Sequence, residues 1–215
     1  MIQLIIYACP MGPLADQIQA FFEVSLAECG RNAAHAYMPH CTLVCFFEDL
    51  EDQAISYCQT LERLYQRARR DRSATLSVGK LTFNPDWYGL PLTSPELEQL
   101  AVDFARSPHP ASLGRPIRPK SWLHLSLAYG FAPDQAKCLK ALAQAINPAA
   151  AVSWELRLYQ RSPAAQASPL QMQDSPLQDL PSPQSPSPRS PSPGNPLSQE
   201  IIWTCLQSFP LPRSD

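Results

Sequence analysis

Glycine is scarce in this chain: there are seven in 215 residues, and no two of them stand in a G-x-G spacing. That excludes a dinucleotide fingerprint, and no glycine run leads into the Lys-Ser or Lys-Thr of a P-loop. Any phosphate bound here must be held by side chains rather than by a glycine-rich cradle. Positive charge is not in excess either, since 17 Lys and Arg face 19 Asp and Glu for a net charge of -2. The basic footprint of a duplex-binding protein is missing, so duplex DNA is not expected as a partner. No apolar run approaches the ~18 residues that would suggest a membrane span. The N-terminal run from Ile2 to Ala8 has no Lys or Arg before Arg31 and soon meets Pro10, which reads as a buried first strand rather than a secretion signal.

C-x-x-C pairs are also absent. The cysteines number seven, and Cys41, Cys45, Cys58, Cys138 and Cys205 sit inside apolar runs, as expected of small buried thiols in a reducing, cytoplasmic setting. His40, Cys41 and Cys45 lack the paired spacing of zinc ligands, and strand alternation sends His40 and Cys41 to opposite faces. No metal or other cofactor is expected.

Proline, by contrast, is abundant and uneven. Of the 24 prolines, ten fall between residues 161 and 199 together with nine serines. This stretch has no hydrophobic period and too little apolar surface to order itself, so it is expected to be a disordered insertion. It divides one hairpin, whose arms are Ser153 to Tyr159 and Ile201 to Gln207. Closing a loop of 39 residues instead of about 4 costs only about 2 kcal/mol, which a core of this size tolerates. Phosphorylation, or weak capture by an SH3-like groove through Ser185 to Pro191, is the alternative to an inert insertion. The expected domain is residues 1–160 together with 200–215.

Outside that stretch the chain alternates strands and helices without a regular βαβ spacing. The expected elements are a strand at 2–8, a helix at 13–29 stopped by Gly30, a strand at 40–47 and a helix at 52–70. Next come two strands within 73–92 and a helix capped by Ser94 with Pro95 at its first position. A strand at 122–129, a helix beginning near Pro133, and strands at 152–161 and 201–209 complete the chain. The fold class is α+β. The helix at 13–29 is expected to bury Leu14, Ile18, Phe21, Phe22 and Leu26, and that at 52–70 Ile55, Cys58, Leu61, Tyr65 and Ala68.

Two strands carry matching motifs. His40-Cys41-Thr42-Leu43-Val44-Cys45-Phe46-Phe47 and His124-Leu125-Ser126-Leu127-Ala128-Tyr129-Gly130-Phe131 both read H-x-[ST]-L-x-x-x-F. Residues i and i+2 of a strand share a face about 6.6 Å apart, so each strand presents an imidazole and a hydroxyl to the same space. With unperturbed pKa values near 6.5, one imidazole takes a proton from an attacking hydroxyl or water while the other gives one to a leaving oxygen. The hydroxyls donate to phosphoryl oxygens, where charge grows in the transition state. His35 and His109 match nothing and are read as surface residues.

With these motifs and this element order, the chain resembles the two-histidine (2H) phosphoesterase superfamily, which includes bacterial 2'-5' RNA ligase-like proteins and 2',3'-cyclic phosphodiesterases. Tyr37-Met38-Pro39-His40 with Phe46-Phe47 also resembles the phosphoesterase part of signalling suppressors that carry ubiquitin-associated and SH3 domains; neither domain is expected within these residues. The resemblance implies a bilobal, pseudo-two-fold fold in which two antiparallel sheets form a central cleft with helices outside. It also implies metal-independent opening of 2',3'-cyclic phosphates on nucleotides or short RNA, with His40 and His124 as the acid/base pair and Thr42 and Ser126 holding phosphate. A 2'-5' RNA ligase or phosphodiesterase, and a non-catalytic module that binds RNA ends or proteins, are the alternatives. For the base or ribose, Tyr37, Trp87, Tyr88, Trp122 and Tyr129 are candidate stacking surfaces. Arg115, Arg118 and Lys120, just before the second motif, are candidate phosphate contacts.

Overall fold

The computed structural model describes residues 1–70, 75–108, 116–163 and 201–212. Its strands are β1 (Ile2–Met11), β2 (Cys41–Asp49), β3 (Ser77–Val78), β4 (Thr82–Phe83), β5 (Trp87–Thr93), β6 (His124–Tyr129), β7 (Ser153–Pro163) and β8 (Ile201–Pro210). The helices are α1 (Pro13–Glu28), α2 (Ala54–Arg70), α3 (Pro95–Arg106) and α4 (Ala136–Ala143). The α+β class expected from the sequence is what the chain adopts. Instead of two separate sheets, the strands form one eight-stranded sheet in the order β3-β5-β6-β2-β1-β7-β8, with β4 beside β5. The join at its centre is thin. Strands β2 and β6 meet through the single pair Cys41↔Leu125, supported by a bridge between Val44 and Pro119.

The element order β1-α1-β2-α2 recurs as β5-α3-β6-α4, and the sheet order β5-β6-β2-β1 reads the same from either end in terms of that repeat. The helices follow suit, with α1 packed on α4 and α2 on α3. Their apolar stripes cover one face of the sheet: Leu14, Ile18 and Phe22 from α1, Tyr57 and Leu61 from α2, Leu97 and Phe104 from α3, and Leu139 from α4 share a core with Leu4, Ile6 and Ala8 of β1. The alternate residues of β1, Ile5, Tyr7 and Cys9, point the other way and form a second cluster with Tyr159. One face of the sheet is thus sealed by helices, and the other is left for a site.

Some sequence expectations shift in detail. Leu26 and Ile55 are 47% and 68% exposed rather than inward; Tyr57 and Thr60 take the inward places on α2. The α2 entry is fixed by the buried carboxylate of Asp49, which accepts from the Tyr57 hydroxyl and the Leu50 N–H. His35 is no loose surface residue: its Nδ1 accepts from Asn32 N at 3.0 Å and its Nε2 lies 3.0 Å from Ser25 Oγ, bracing a short 3-10 turn (Ala33–Ala36). Pairing of β7 with β8 runs out to Pro163↔Ile201, so the two ends of the Ser/Pro stretch are adjacent. Arg161 to Pro163 belong to that strand rather than to the insertion. The rest of 161–199, like His109, lies outside the described residues.

The cysteine reading is corrected at one point. Cys29, capping α1, and Cys138, on α4, form a disulfide, because the packing of α1 on α4 brings them face to face. Cys205 is exposed and Cys45 and Cys58 are partly so, whereas Cys9 and Cys41 are buried. The disulfide spans 109 residues, and closing a loop of that length typically contributes about 2–4 kcal/mol. Cys29→Ser is therefore expected to lower the melting temperature by roughly 5–15 °C, at ~2–4 °C per kcal/mol. Calorimetry with and without a reductant checks this, since reductant should move the parent protein and leave the variant in place. Among the described residues no helix is long and apolar enough to cross a membrane.

Candidate active site

The pair Cys41↔Leu125 fixes the geometry of the site. In an antiparallel ladder, one step to either side of this pair sets His40 opposite Ser126 and Thr42 opposite His124. Cys41 and Leu125 themselves are wholly buried among the helices. The four residues singled out by the two motifs therefore share the other face, with same-strand neighbours ~6.6 Å apart. All four are partly exposed. Burial raises the Cys41 thiol to about 12, which leaves it a neutral packing group beneath the site.

Each imidazole is held by the same device. His40 Nδ1 lies 2.8 Å from Met38 O, and His124 Nδ1 lies 3.0 Å from Trp122 O. A carbonyl can only accept, so Nδ1 carries the hydrogen in both rings. Nε2 is then the atom free to take a proton from a substrate or, once protonated, to give one. Each ring also rests on an aromatic neighbour, His40 with Tyr7 at 4.0 Å between centroids and His124 stacked on Trp122 at 4.0 Å. Trp87 meets His124 edge-on at 5.4 Å.

The hydroxyl of Ser126 is oriented too. Trp87 Nε1 donates to Ser126 Oγ at 2.9 Å, so the serine's own hydrogen is available to donate outward. This contact depends on Gly89, which pairs with Ser126 across β5 and β6. A Cβ on Gly89 would collide with the Leu125 carbonyl and the Trp87 indole. Scarce as glycine is in this chain, one is spent on letting the indole lie flat against the strand.

The electrostatics favour neutral imidazoles. Burial, followed in effect by the nearby His124, lowers His40 to about 4 against the opposing hydrogen bond to Met38. His124 is lowered as well, first by burial and then by the charge of Lys120, with its bond to Trp122 opposing. Lys120 is fixed beside the site because its backbone N–H donates to Leu43 O at 2.8 Å.

Of the other sequence candidates, Tyr37 stands 5.5 Å from the His40 ring, and its hydrogen bond with Tyr129 joins burial in raising the Tyr129 hydroxyl to about 12. Those two rings come one from each half of the repeat, and Tyr37 is the one that borders His40. Trp122 is 47% exposed and supplies an open aromatic face. Trp87 is buried and acts on Ser126 instead of offering a surface, while Tyr88 packs into the main core. Arg118 projects elsewhere, onto a cavity with Phe46 and Gln3. Arg115 lies outside the described residues. Tyr7 and Trp203 were missed, because only the pairing of β1 with β2 and β7, and of β7 with β8, brings Tyr7 against His40 and Trp203 against Tyr7 and Tyr37. Among the described residues no three His, Cys, Asp or Glu side chains gather as a metal-binding set.

No family model matches the chain. It is 32% identical over 165 residues to the ecdysteroid-phosphate phosphatase of Bombyx mori, covering 75% of this chain and 25% of that protein. The Drosophila melanogaster protein of the same name is 31% identical over 204 residues, covering 79% and 27%. The ubiquitin-associated and SH3 domain-containing protein A of Mus musculus is 35% identical over 167 residues, covering 73% and 25%. The likeness drawn from Tyr37-Met38-Pro39-His40 and Phe46-Phe47 thus points to proteins that the comparison over about three quarters of the chain also finds. The chain spans about a quarter of the length of these curated relatives.

Proposed function

We propose that this chain is a two-histidine phosphoesterase that opens 2',3'-cyclic phosphates of nucleotides or RNA ends by acid/base catalysis. The observation that carries the reading is the duplicated arrangement about Cys41 and Leu125, in which two imidazoles with the same Nδ1–carbonyl anchor face two hydroxyls. The phosphatase names of two relatives support a phosphoesterase-type activity at the coarser level.

In this mechanism the cyclic phosphate sits between the imidazoles with its non-bridging oxygens toward Thr42 and Ser126. Nε2 of His40 takes a proton from water, whose oxygen attacks phosphorus, and the bond from phosphorus to one ribose oxygen breaks. Nε2–H of His124 protonates that oxygen, leaving a nucleoside monophosphate. His40 is assigned as the base because its burial holds it neutral down to about 4. His124, stacked on the exposed Trp122, is assigned as the acid, and because its pKa is also lowered the form that carries the proton to be donated is populated on the acidic side. Both hydroxyls act where negative charge grows on the phosphoryl oxygens.

The pH dependence follows with a definite sign. In the free enzyme His40 must be neutral and His124 protonated, and both are lowered from the ordinary value near 6.5. We expect kcat/KM to peak on the acidic side of pH 6.5 and to fall about tenfold per unit on the alkaline limb. A rate that stays constant to pH 8 would contradict a protonated imidazole as the acid, whichever of the two histidines carries it. The activity itself is tested by incubating the protein with the four 2',3'-cyclic nucleotides in chelator, beside a phosphate monoester and a 2'-5' dinucleotide. Conversion of the cyclic esters alone to monophosphates is the expected result; turnover of the monoester alone would contradict it.

A further inference from the structure

A cavity of about 540 Å³ opens where β1 begins and β2 ends, and is lined by Gln3, Phe46, Phe47, Glu48 and Arg118 among others. Next to it the pairing of β1 with β2 shifts twice, at Leu4/Ile6 and Ile6/Tyr7. The shift turns Val44 into the core, in place of the Cys45 that simple alternation would bury there. Phe46 is left with the second cluster, beside Tyr7. Its ring stacks toward Trp203 at 6.1 Å, with the Arg161 guanidinium 5.3 Å above it. Trp203 in turn stands 6.0 Å from Tyr7 and 5.5 Å from Tyr37, the two rings that flank His40. An unbroken aromatic path thus leads from the catalytic imidazole to the cavity. Along β2 the distance from Thr42 to Phe46 is about 13 Å, four residues at ~3.3 Å each.

The chemistry of this surface matches one class of ligand. Exposed Arg118 and part-buried Arg161 offer positive charge to a linking phosphodiester. Phe46 and Trp203 offer π-faces to a base. Gln3 accepts from Arg161 at 3.3 Å and donates to Glu48 at 3.3 Å, which holds the exposed Glu48 carboxylate as an acceptor for an exocyclic amino group on the base edge. A cyclic mononucleotide at the histidines leaves all of these unused. We infer that the cavity is a second subsite, which binds the nucleotide preceding the cyclic phosphate, and that the substrate is the end of a short single-stranded RNA rather than a free cyclic mononucleotide. This rests on the reading of the histidine site given above.

The test compares adenosine 2',3'-cyclic phosphate with a diadenylate bearing the same cyclic end. The parent protein should favour the diadenylate in kcat/KM by about tenfold or more, since stacking of one base is worth ~1–3 kcal/mol and ~1.4 kcal/mol is tenfold. In Phe46→Ala, and independently in Arg161→Gln, the ratio of the two substrates should fall toward one. Binding is read in parallel, by tryptophan fluorescence, with adenosine 3'-phosphate and the diadenylate 3'-phosphate. If both cyclic esters are hydrolysed equally, or the variants keep the ratio of the parent, the subsite is refuted while the phosphoesterase reading stands. If neither ester is hydrolysed but the longer 3'-phosphate binds about tenfold more tightly and loses this in Phe46→Ala, the hydrolase reading fails and the subsite stands.

Discussion

Replacing His40 or His124 with alanine is expected to lower kcat on a 2',3'-cyclic nucleotide by at least about 10²-fold, and together by little more than the larger single effect. Two groups that move one proton each in a single displacement act as a unit, so removing the second loses little beyond the first. Both rings lie partly exposed on the face away from the helices, and each spends its one structural bond on a carbonyl two residues earlier. The fold should therefore survive the change. Melting temperature and circular dichroism close to those of the parent, alongside the loss of turnover, separate catalysis from stability. His40→Ala or His124→Ala with near-normal turnover would remove the acid/base assignment.

The next largest effect belongs to the hydroxyls. Ser126→Ala and Thr42→Val should each cost about 10²–10³ in kcat if they donate to the phosphoryl oxygens in the transition state, the range seen for loss of one such donor. Ser126 is the sharper test because its hydrogen is aimed by Trp87 Nε1 at 2.9 Å. Trp87→Phe keeps an aromatic ring against His124 and removes only the N–H. It should cost about 5–10-fold, near ~1–1.5 kcal/mol for one hydrogen bond. In the Ser126→Ala background the same change should cost almost nothing, because the group it positions is gone. Equal penalties for Trp87→Phe in both backgrounds would show that the indole acts on packing alone.

Much of this was legible in the residues because it was local. The i, i+2 spacing of His and hydroxyl, the apolar residues between them, and the Ser94-Pro95 start of α3 are short-range patterns. In the structure they become a shared strand face, a buried face, and a cap in which Leu97 N donates to Ser94 Oγ. What stayed hidden depends on pairing between distant segments. The contact of β2 with β6 is a single residue pair, so no periodicity announces that the two sheet halves are joined. Tyr7 and Trp203 lie about two hundred residues apart in sequence, yet the register of β1, β7 and β8 sets their rings 6.0 Å apart, with Tyr7 against His40. The Cys29–Cys138 bond was invisible for the same reason, since it depends on α1 lying against α4. Phe46 follows the shifts in the β1–β2 register, which strict alternation cannot anticipate. Trp87 was read as a substrate surface, yet its indole is turned onto Ser126 by the side-chain-free Gly89.

The central claim is that two imidazoles anchored alike on either side of one strand pair open a cyclic phosphate. Phosphorus NMR of adenosine 2',3'-cyclic phosphate, incubated in chelator with the parent protein and with the His40→Ala/His124→Ala double variant, tests it most directly. The account requires the cyclic resonance to be replaced by that of a single monophosphate with the parent and to persist with the double variant. A cyclic resonance that persists with the parent, or disappears equally fast with the double variant, would contradict it.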